Sequence, residues 1–216
     1  MTEIILVRHG QANNQATDEE GYDRLSDLGR QQARWLGAHF AATNPHFDQV
    51  ITGTMRRQVD TAREMGMEIT AQNPCLNELS YFALSQSAET HHRIPAPRDA
   101  HEFAAYLPQV IDLWARGELP EVPERFDDFC LRSSGLIDDL CKAKGRVLLV
   151  TSGGVISVLM RHALALGNEG LTKMMLQVMN SSVHRLHFVH GVLTVGQFNA
   201  VPHLDAPERA DARTFI

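Results

Sequence analysis

The chain opens with a short unbroken apolar stretch, Ile4-Ile5-Leu6-Val7, that stops abruptly at Arg8-His9-Gly10. A continuous, partly β-branched run of this length predicts a buried strand, with any chemistry at its carboxyl end. From Ser26 or Asp27, either a fair helix cap, the apolar residues Ala33, Leu36, Gly37, Phe40 and Ala41 recur at helical spacing up to an Asn44-Pro45 stop. DQVIT at 48–52 then reads as a second short strand, followed by a helix from about Thr54 to Gly66 and an extended piece near Glu68 to Ala71. The stretch from Asn77 to about Pro97 is polar and is expected to be irregular. Helices at about Asp99–Arg116 and Pro123–Ala143 follow, the second with Phe126, Phe129, Cys130, Ile137, Leu140 and Cys141 on one face. RVLLV at 146–150 is the most apolar strand, closed by Thr151-Ser152-Gly153-Gly154 and followed by a helix from about Val155 to Leu166. HRLHFV and VLTVGQF flank His190-Gly191 as a terminal hairpin, and DAPERADARTFI at the end reads as loosely held.

This alternation predicts an α/β fold: a three-layer α/β/α sandwich with a mostly parallel central sheet and an antiparallel edge. The 216 residues suffice for one sizeable core, so one domain spanning 1–216 is expected, with an insertion or lid at about 77–125.

Charge and cysteine usage narrow the partners. The formal net charge is −6 and Lys and Arg are scattered, which argues against nucleic acid and anionic membrane surfaces and for a small molecule. The apolar run at the N-terminus is too short for a signal peptide, and no later stretch approaches the roughly eighteen apolar residues of a membrane span. Cys75, Cys130 and Cys141 form an odd set without metal-type CxxC spacing. A cytoplasmic, reduced protein is expected.

In open α/β sheets, sites form outside the carboxyl ends of the strands. Arg8, His9 and Gly10 follow the first strand, Arg56 and Arg57 the second, and Thr151 to Gly154 the most apolar one. Guanidinium groups bind phosphate oxygens bidentately, and a glycine turn at a helix start aims N–H dipoles at an anion. A neutral imidazole can attack phosphorus, and neighbouring arginines lower its pKa by charge repulsion. The leaving oxygen needs a proton, for which Glu78 is the candidate acid.

LVRHGQ, LSDLGRQQA, TGTMRRQVDTA and LNE at 76–78 occur in this order, with VLLVTSGGVI and NSSVHRLHF behind them. Together they resemble the phosphoglycerate mutase-like histidine phosphatases over nearly the whole chain. The resemblance implies that His9 is transiently phosphorylated, that Arg8 and Arg57 hold the phosphate, and that Glu78 is the general acid and later activates water. It implies no metal and no cofactor. Arg57 rather than Arg56 matches the family's pocket arginine because it stands four residues before Thr61; Arg56 is then a helix-surface residue.

The sequence departs from the family pattern at two places. The late turn reads TSGG where the family has an SHGG-like turn, so Ser152 stands in place of a second histidine. Losing such a donor costs roughly 10²–10³ in rate if nothing compensates. Ser152 and the backbone of Gly153 are candidate phosphate contacts, with His91, His92 or His184 as candidate helpers, while an ordinary helix N-cap role for Ser152 stays equally open. Gln11 and Ala12 stand where RHGET or RHGES would place acidic and hydroxyl groups.

The expected function is a phosphomonoesterase acting through a phosphohistidine on a small phosphorylated metabolite or a phosphoprotein. A phosphoglycerate-type mutase is the first alternative; against it, LSYFALSQSAETHH after Glu78 lacks basic residues for a second acidic group. A catalytically weak phosphate-binding or regulatory protein is the second. Dimers are common for such folds and no decisive interface stripe stands out, so a homodimer stays open.

Overall fold

The computed structural model describes residues 2–13, 15, 16, 18–43, 46–142 and 144–215. The expected Asn44-Pro45 stop and Ala143 lie outside the described residues.

Strand β1 (Thr2–Arg8) is followed by a single helical turn α1 (Glu19–Tyr22), helix α2 (Asp27–Thr43), β2 (Gln49–Thr52), α3 (Arg56–Glu64) and the two-residue β3 (Ala71–Gln72). Then come α4 (Tyr81–His92), α5 (Ala100–Ala115), α6 (Phe126–Lys142), β4 (Gly145–Thr151), α7 (Gly153–Leu164), α8 (Asn168–Met175) and the hairpin β5 (Val183–Val189) and β6 (Val192–Ala200). Among the described residues the sheet runs β3-β2-β4-β1-β5-β6. The pairs β3/β2, β2/β4 and β4/β1 are parallel, and β1/β5 and β5/β6 are antiparallel.

The two-residue period of the strands builds the three layers. Ile5, Val7, Leu148 and Val150 face α2 and α3, where they pack with Ala33, Leu36, Phe40 and Ala62. Their neighbours Ile4, Leu6, Val147 and Leu149 point the other way, into a larger core with side chains of α4 to α8. Both faces of β1 and β4 are therefore buried, as their continuous apolar runs require. This is the expected three-layer α/β/α architecture.

Two expectations fail. The segment after Asn77 is not irregular: residues 81–92 form α4. Its buried stripe is narrow, Leu84 and Ala88 with Ser85 and Ser87, so polar residues hide the helical period. His91 and His92 accordingly sit in the last turn of a helix instead of a loop. The C-terminal segment is not loose. Short 3₁₀ turns at Pro202–Leu204 and Pro207–Ala212 bury Leu204 and Ala212. Gln32 Nε2 donates to the Ala212 carbonyl at 2.7 Å, and the Asn180 amide to the Thr214 carbonyl at 2.8 Å. No helix is long and apolar enough to cross a membrane among the described residues.

Candidate active site

Parallel pairing of β1 with β4 sets Arg8 opposite Thr151, so the residues that follow, His9 and Ser152, leave the sheet side by side. The His9 amide donates to the Thr151 carbonyl at 2.9 Å, and the Ser181 amide to the His9 carbonyl at 3.2 Å. Close approach of two glycines fixes the turn from beneath: a Cβ on Gly10 would lie 2.2 Å from the Gly29 carbonyl oxygen, and one on Gly29 2.1 Å from that of Gln11. The LxxxG spacing at the start of α2 thus lets that helix press directly on the His9 loop.

The imidazole of His9 is almost completely buried. Its Nδ1–H donates to the Gly10 carbonyl at 2.7 Å, and its Nε2 accepts from Arg57 Nε at 3.2 Å. The lone pair therefore resides on Nε2, facing the arginine. Burial, reinforced by the charges of Arg57 and Arg8, pushes the His9 pKa well below the ordinary histidine value, leaving the ring neutral near pH 7.

Arg57, in the first turn of α3, is buried and oriented from three sides. Asp23 Oδ1 accepts from its Nη1 and its amide, each at 3.1 Å, and its guanidinium lies 5.1 Å from the Tyr22 ring centroid. Thr61 Oγ1 donates to the Arg57 carbonyl at 2.7 Å and accepts from the Gly10 amide at 3.1 Å, which joins α3 to the His9 loop. That bridge gives a physical reason for the Arg-to-Thr offset read in the sequence. Arg56 stays on the surface beside Asp60.

Arg8 is buried, with Nη1 donating to the carbonyls of Val178 and Phe215, while its Nε has no hydrogen-bond partner among the described residues. A Cβ on Gly153 would lie 3.5 Å from that Nε, which places the guanidinium against the first turn of α7. Glu78 reaches the same turn: its Oε2 accepts from the Gly154 amide at 2.9 Å and its Oε1 from the Leu79 amide at 3.1 Å. A Cβ on Gly154 would lie 2.3 Å from Glu78 Oε1, so a larger residue there would displace the carboxylate from this position.

Arg8, His9, Arg57, Glu78, Gly153 and Gly154 thus line one cleft of about 480 Å³. Ser152 does not join them. It is fully buried, its hydroxyl accepts from Gln58 Nε2 at 2.8 Å, and its side chain makes no capping bond to the N-terminus of α7. Gln58 Nε2 also donates to the Leu76 carbonyl at 2.9 Å, where Thr151 Oγ1 donates too, at 2.6 Å. Ser152 therefore belongs to a buried brace behind the loop that carries Glu78. The candidate helper histidines are likewise absent from the cleft lining. His184 is buried between Ser182 and the Asn199 amide, with burial as the main cause of a pKa pushed down to about 3. His92 engages the Glu118 carbonyl and His91 is exposed.

Several lining residues escaped the sequence reading: Glu19, Tyr22, Tyr81, Phe82, Arg98 and Phe103 among them. They come from separate segments of the chain, and only packing, such as that of α1 against α4, brings them to one cleft. The Glu19 carboxylate accepts from the Phe82 amide at 3.3 Å, and Tyr22 meets Phe82 edge-on at 6.4 Å between ring centroids. Among the described residues, no group of three or more His, Cys, Asp and Glu side chains is arranged to hold a metal ion.

Comparison with solved structures agrees with this fold. A phosphoserine phosphatase variant from Entamoeba histolytica in complex with phosphoserine superposes with a TM-score of 0.71 at 20% identity, over 94% of this chain and all of that one. Phosphoglycerate mutase from Bacillus anthracis gives 0.69 at 22% identity, over 94% of each chain. The α-ribazole phosphatase of Shigella flexneri gives 0.69 at 19%, over 92% of this chain and 96% of that one. These likenesses establish the phosphoglycerate mutase-like fold. Among curated proteins, none matches in sequence. The sequence pattern of the Histidine phosphatase superfamily (branch 1), however, matches residues 4–201, and the chain belongs to that superfamily.

Proposed function

We propose that this protein is a phosphomonoesterase that works through a phosphohistidine at His9 and acts on a small phosphorylated metabolite. The observation that carries the reading is the state of His9: a buried, neutral imidazole whose Nε2 lone pair faces the cleft end formed by Arg57, with Arg8 alongside.

In the first step the Nε2 lone pair attacks phosphorus and the bond from phosphorus to the ester oxygen breaks. Arg57 moves its donors from Nε2 onto the phosphoryl oxygens, and Arg8, through its unpartnered Nε, meets the same group. Glu78, in its protonated form, gives its proton to the departing alkoxide. In the second step the Glu78 carboxylate takes a proton from water, whose oxygen displaces His9 from phosphorus, releasing phosphate and restoring the neutral ring. The Gly153 backbone at the start of α7 adds a dipole directed at the phosphoryl oxygens, and Ser152 acts as a brace through Gln58.

The chain works as one domain in which residues 77–125 form the lid, since Tyr81, Phe82, Arg98 and Phe103 reach the cleft from there. Three cysteines without a disulfide support a reducing cytoplasm as its location. A mutase is disfavoured, because Arg98, the remaining cation on the cleft wall among the described residues, is engaged by Glu102.

Initial rates of phosphate release from 4-nitrophenyl phosphate, without added metal, test the proposal. Turnover in the wild type and its loss in His9→Ala is the expected result. Tight phosphate binding without turnover in either protein favours the binding-protein alternative.

A further inference from the structure

Away from its reacting end the cleft changes character. Tyr22, Tyr81, Phe82 and Phe103 line it as a continuous aromatic wall: ring centroids lie 6.4 Å apart for Tyr22 and Phe82, 5.6 Å for Tyr81 and Phe82, and 5.9 Å for Tyr81 and Phe103. Charges on this part of the lining are mostly negative. Glu19 comes from the short turn α1 and Asp99 from the cap of α5. Beside Arg57, whose guanidinium lies over the Tyr22 ring, Arg98 is the one further cation there among the described residues, and Glu102 engages both its Nε, at 3.0 and 3.1 Å, and its amide, at 2.9 Å.

Glu19 is the better placed of the two acids. It is half-buried, its Oε1 is held by the Phe82 amide, and no ion pair occupies it among the described residues. Burial raises its carboxyl above the ordinary range, opposed by the Phe82 amide and by Arg57 and reinforced by Glu78 and Asp23. A cation set beside it would offset that desolvation. Aromatic faces attract the same kind of group through their quadrupoles. A second acid on the substrate, by contrast, would meet Glu19 and Asp99, with no guanidinium beyond Arg8, Arg57 and the Glu102-bound Arg98 lining the cleft among the described residues.

We infer that the cleft selects phosphate monoesters whose alcohol carries an ammonium group, seated on the wall of Tyr22, Tyr81, Phe82 and Phe103 with its nitrogen at Glu19. This rests on the phosphomonoesterase reading and adds the class of leaving alcohol. The amine is a recognition element and takes no part in bond breaking.

Three phenyl phosphates that differ only in the para substituent provide the test: aminoethyl, ethyl and carboxyethyl. At neutral pH the wild type is expected to hydrolyse the aminoethyl ester with a kcat/KM at least about tenfold above that of the carboxyethyl ester, with the ethyl ester between them. In Glu19→Gln the aminoethyl-to-carboxyethyl ratio should fall by about fivefold or more. Equal kcat/KM for the three esters, preference for the carboxyethyl ester, or an unchanged ratio in Glu19→Gln overturns the inference while leaving the phosphatase reading intact. Failure to hydrolyse even the ethyl ester overturns both.

Discussion

Replacing Ser152 by alanine separates two roles that a serine in this turn can have. Its hydroxyl is fully buried, accepts from Gln58 Nε2 at 2.8 Å and takes no part in lining the cleft. Deleting it removes one neutral hydrogen bond, while Gln58 Nε2 keeps the Leu76 carbonyl at 2.9 Å. A net stability loss of about 1 kcal/mol follows, which in a chain of this size lowers Tm by about 2–4 °C. Because Gln58 still braces Leu76, the loop carrying Glu78 stays in place, and kcat/KM is expected to fall less than about tenfold. A direct phosphate donor would behave in the opposite way, with a loss of about 10²–10³ in kcat/KM and little change in stability. Urea unfolding and initial rates on an aryl phosphate, run on the same preparation, read both quantities. Wild-type stability combined with a hundredfold drop in kcat/KM would refute the brace.

Further predictions follow from the same geometry. Arg57→Lys cannot keep Asp23, the Nε2 contact and a bidentate phosphate contact at once, so kcat/KM should drop about 10²-fold or more, with steady-state kinetics as the measurement. Gly29→Ala sets a Cβ 2.1 Å from the Gln11 carbonyl oxygen; both the urea midpoint and kcat should fall, since the His9 loop must shift to relieve the contact. Buried neutral histidines make stability sensitive to acid. His184 and His203 have pKa values pushed down to about 3 and His9 is lowered too, mainly by burial, so the unfolded chain binds more protons below pH ~6.5 and stability declines from there towards about pH 3. The slope attributable to each histidine approaches about 1.4 kcal/mol per pH unit, and His184→Gln should flatten the urea midpoint against pH over that window.

The parts of the fold that were legible in the sequence are those where one physical signal dominates. β1 and β4 are buried on both faces, so their apolar runs are unbroken and the polar residues after them stand out. Arg8, His9 and Gly153 were found because strand ends in such sheets converge, and the register of β1 on β4 brings them together, whereas Glu78 and the choice of Arg57 over Arg56 came from the family resemblance. Helix α4 was hidden because serines occupy half of its buried stripe. The C-terminal segment reads as polar and proline-rich, yet its backbone carbonyls are held by Gln32 and Arg8, side chains more than 170 residues away in sequence. Ser152 illustrates a further limit: its position beside His9 was readable, but the direction of its hydroxyl depends on Gln58, which only packing reveals. For the same reason nothing in the sequence singles out Glu19 and Tyr22, whose place in the cleft depends on packing against α4.

The central claim, a phosphoryl group carried on His9, is tested most directly by trapping it. Wild-type protein mixed briefly with an aryl phosphate, quenched under alkaline conditions and digested for mass spectrometry should carry a phosphoryl group on His9, labile to acid and absent from His9→Gln. Turnover of that substrate with no phosphoryl group on His9, or undiminished turnover by His9→Gln, would contradict the account.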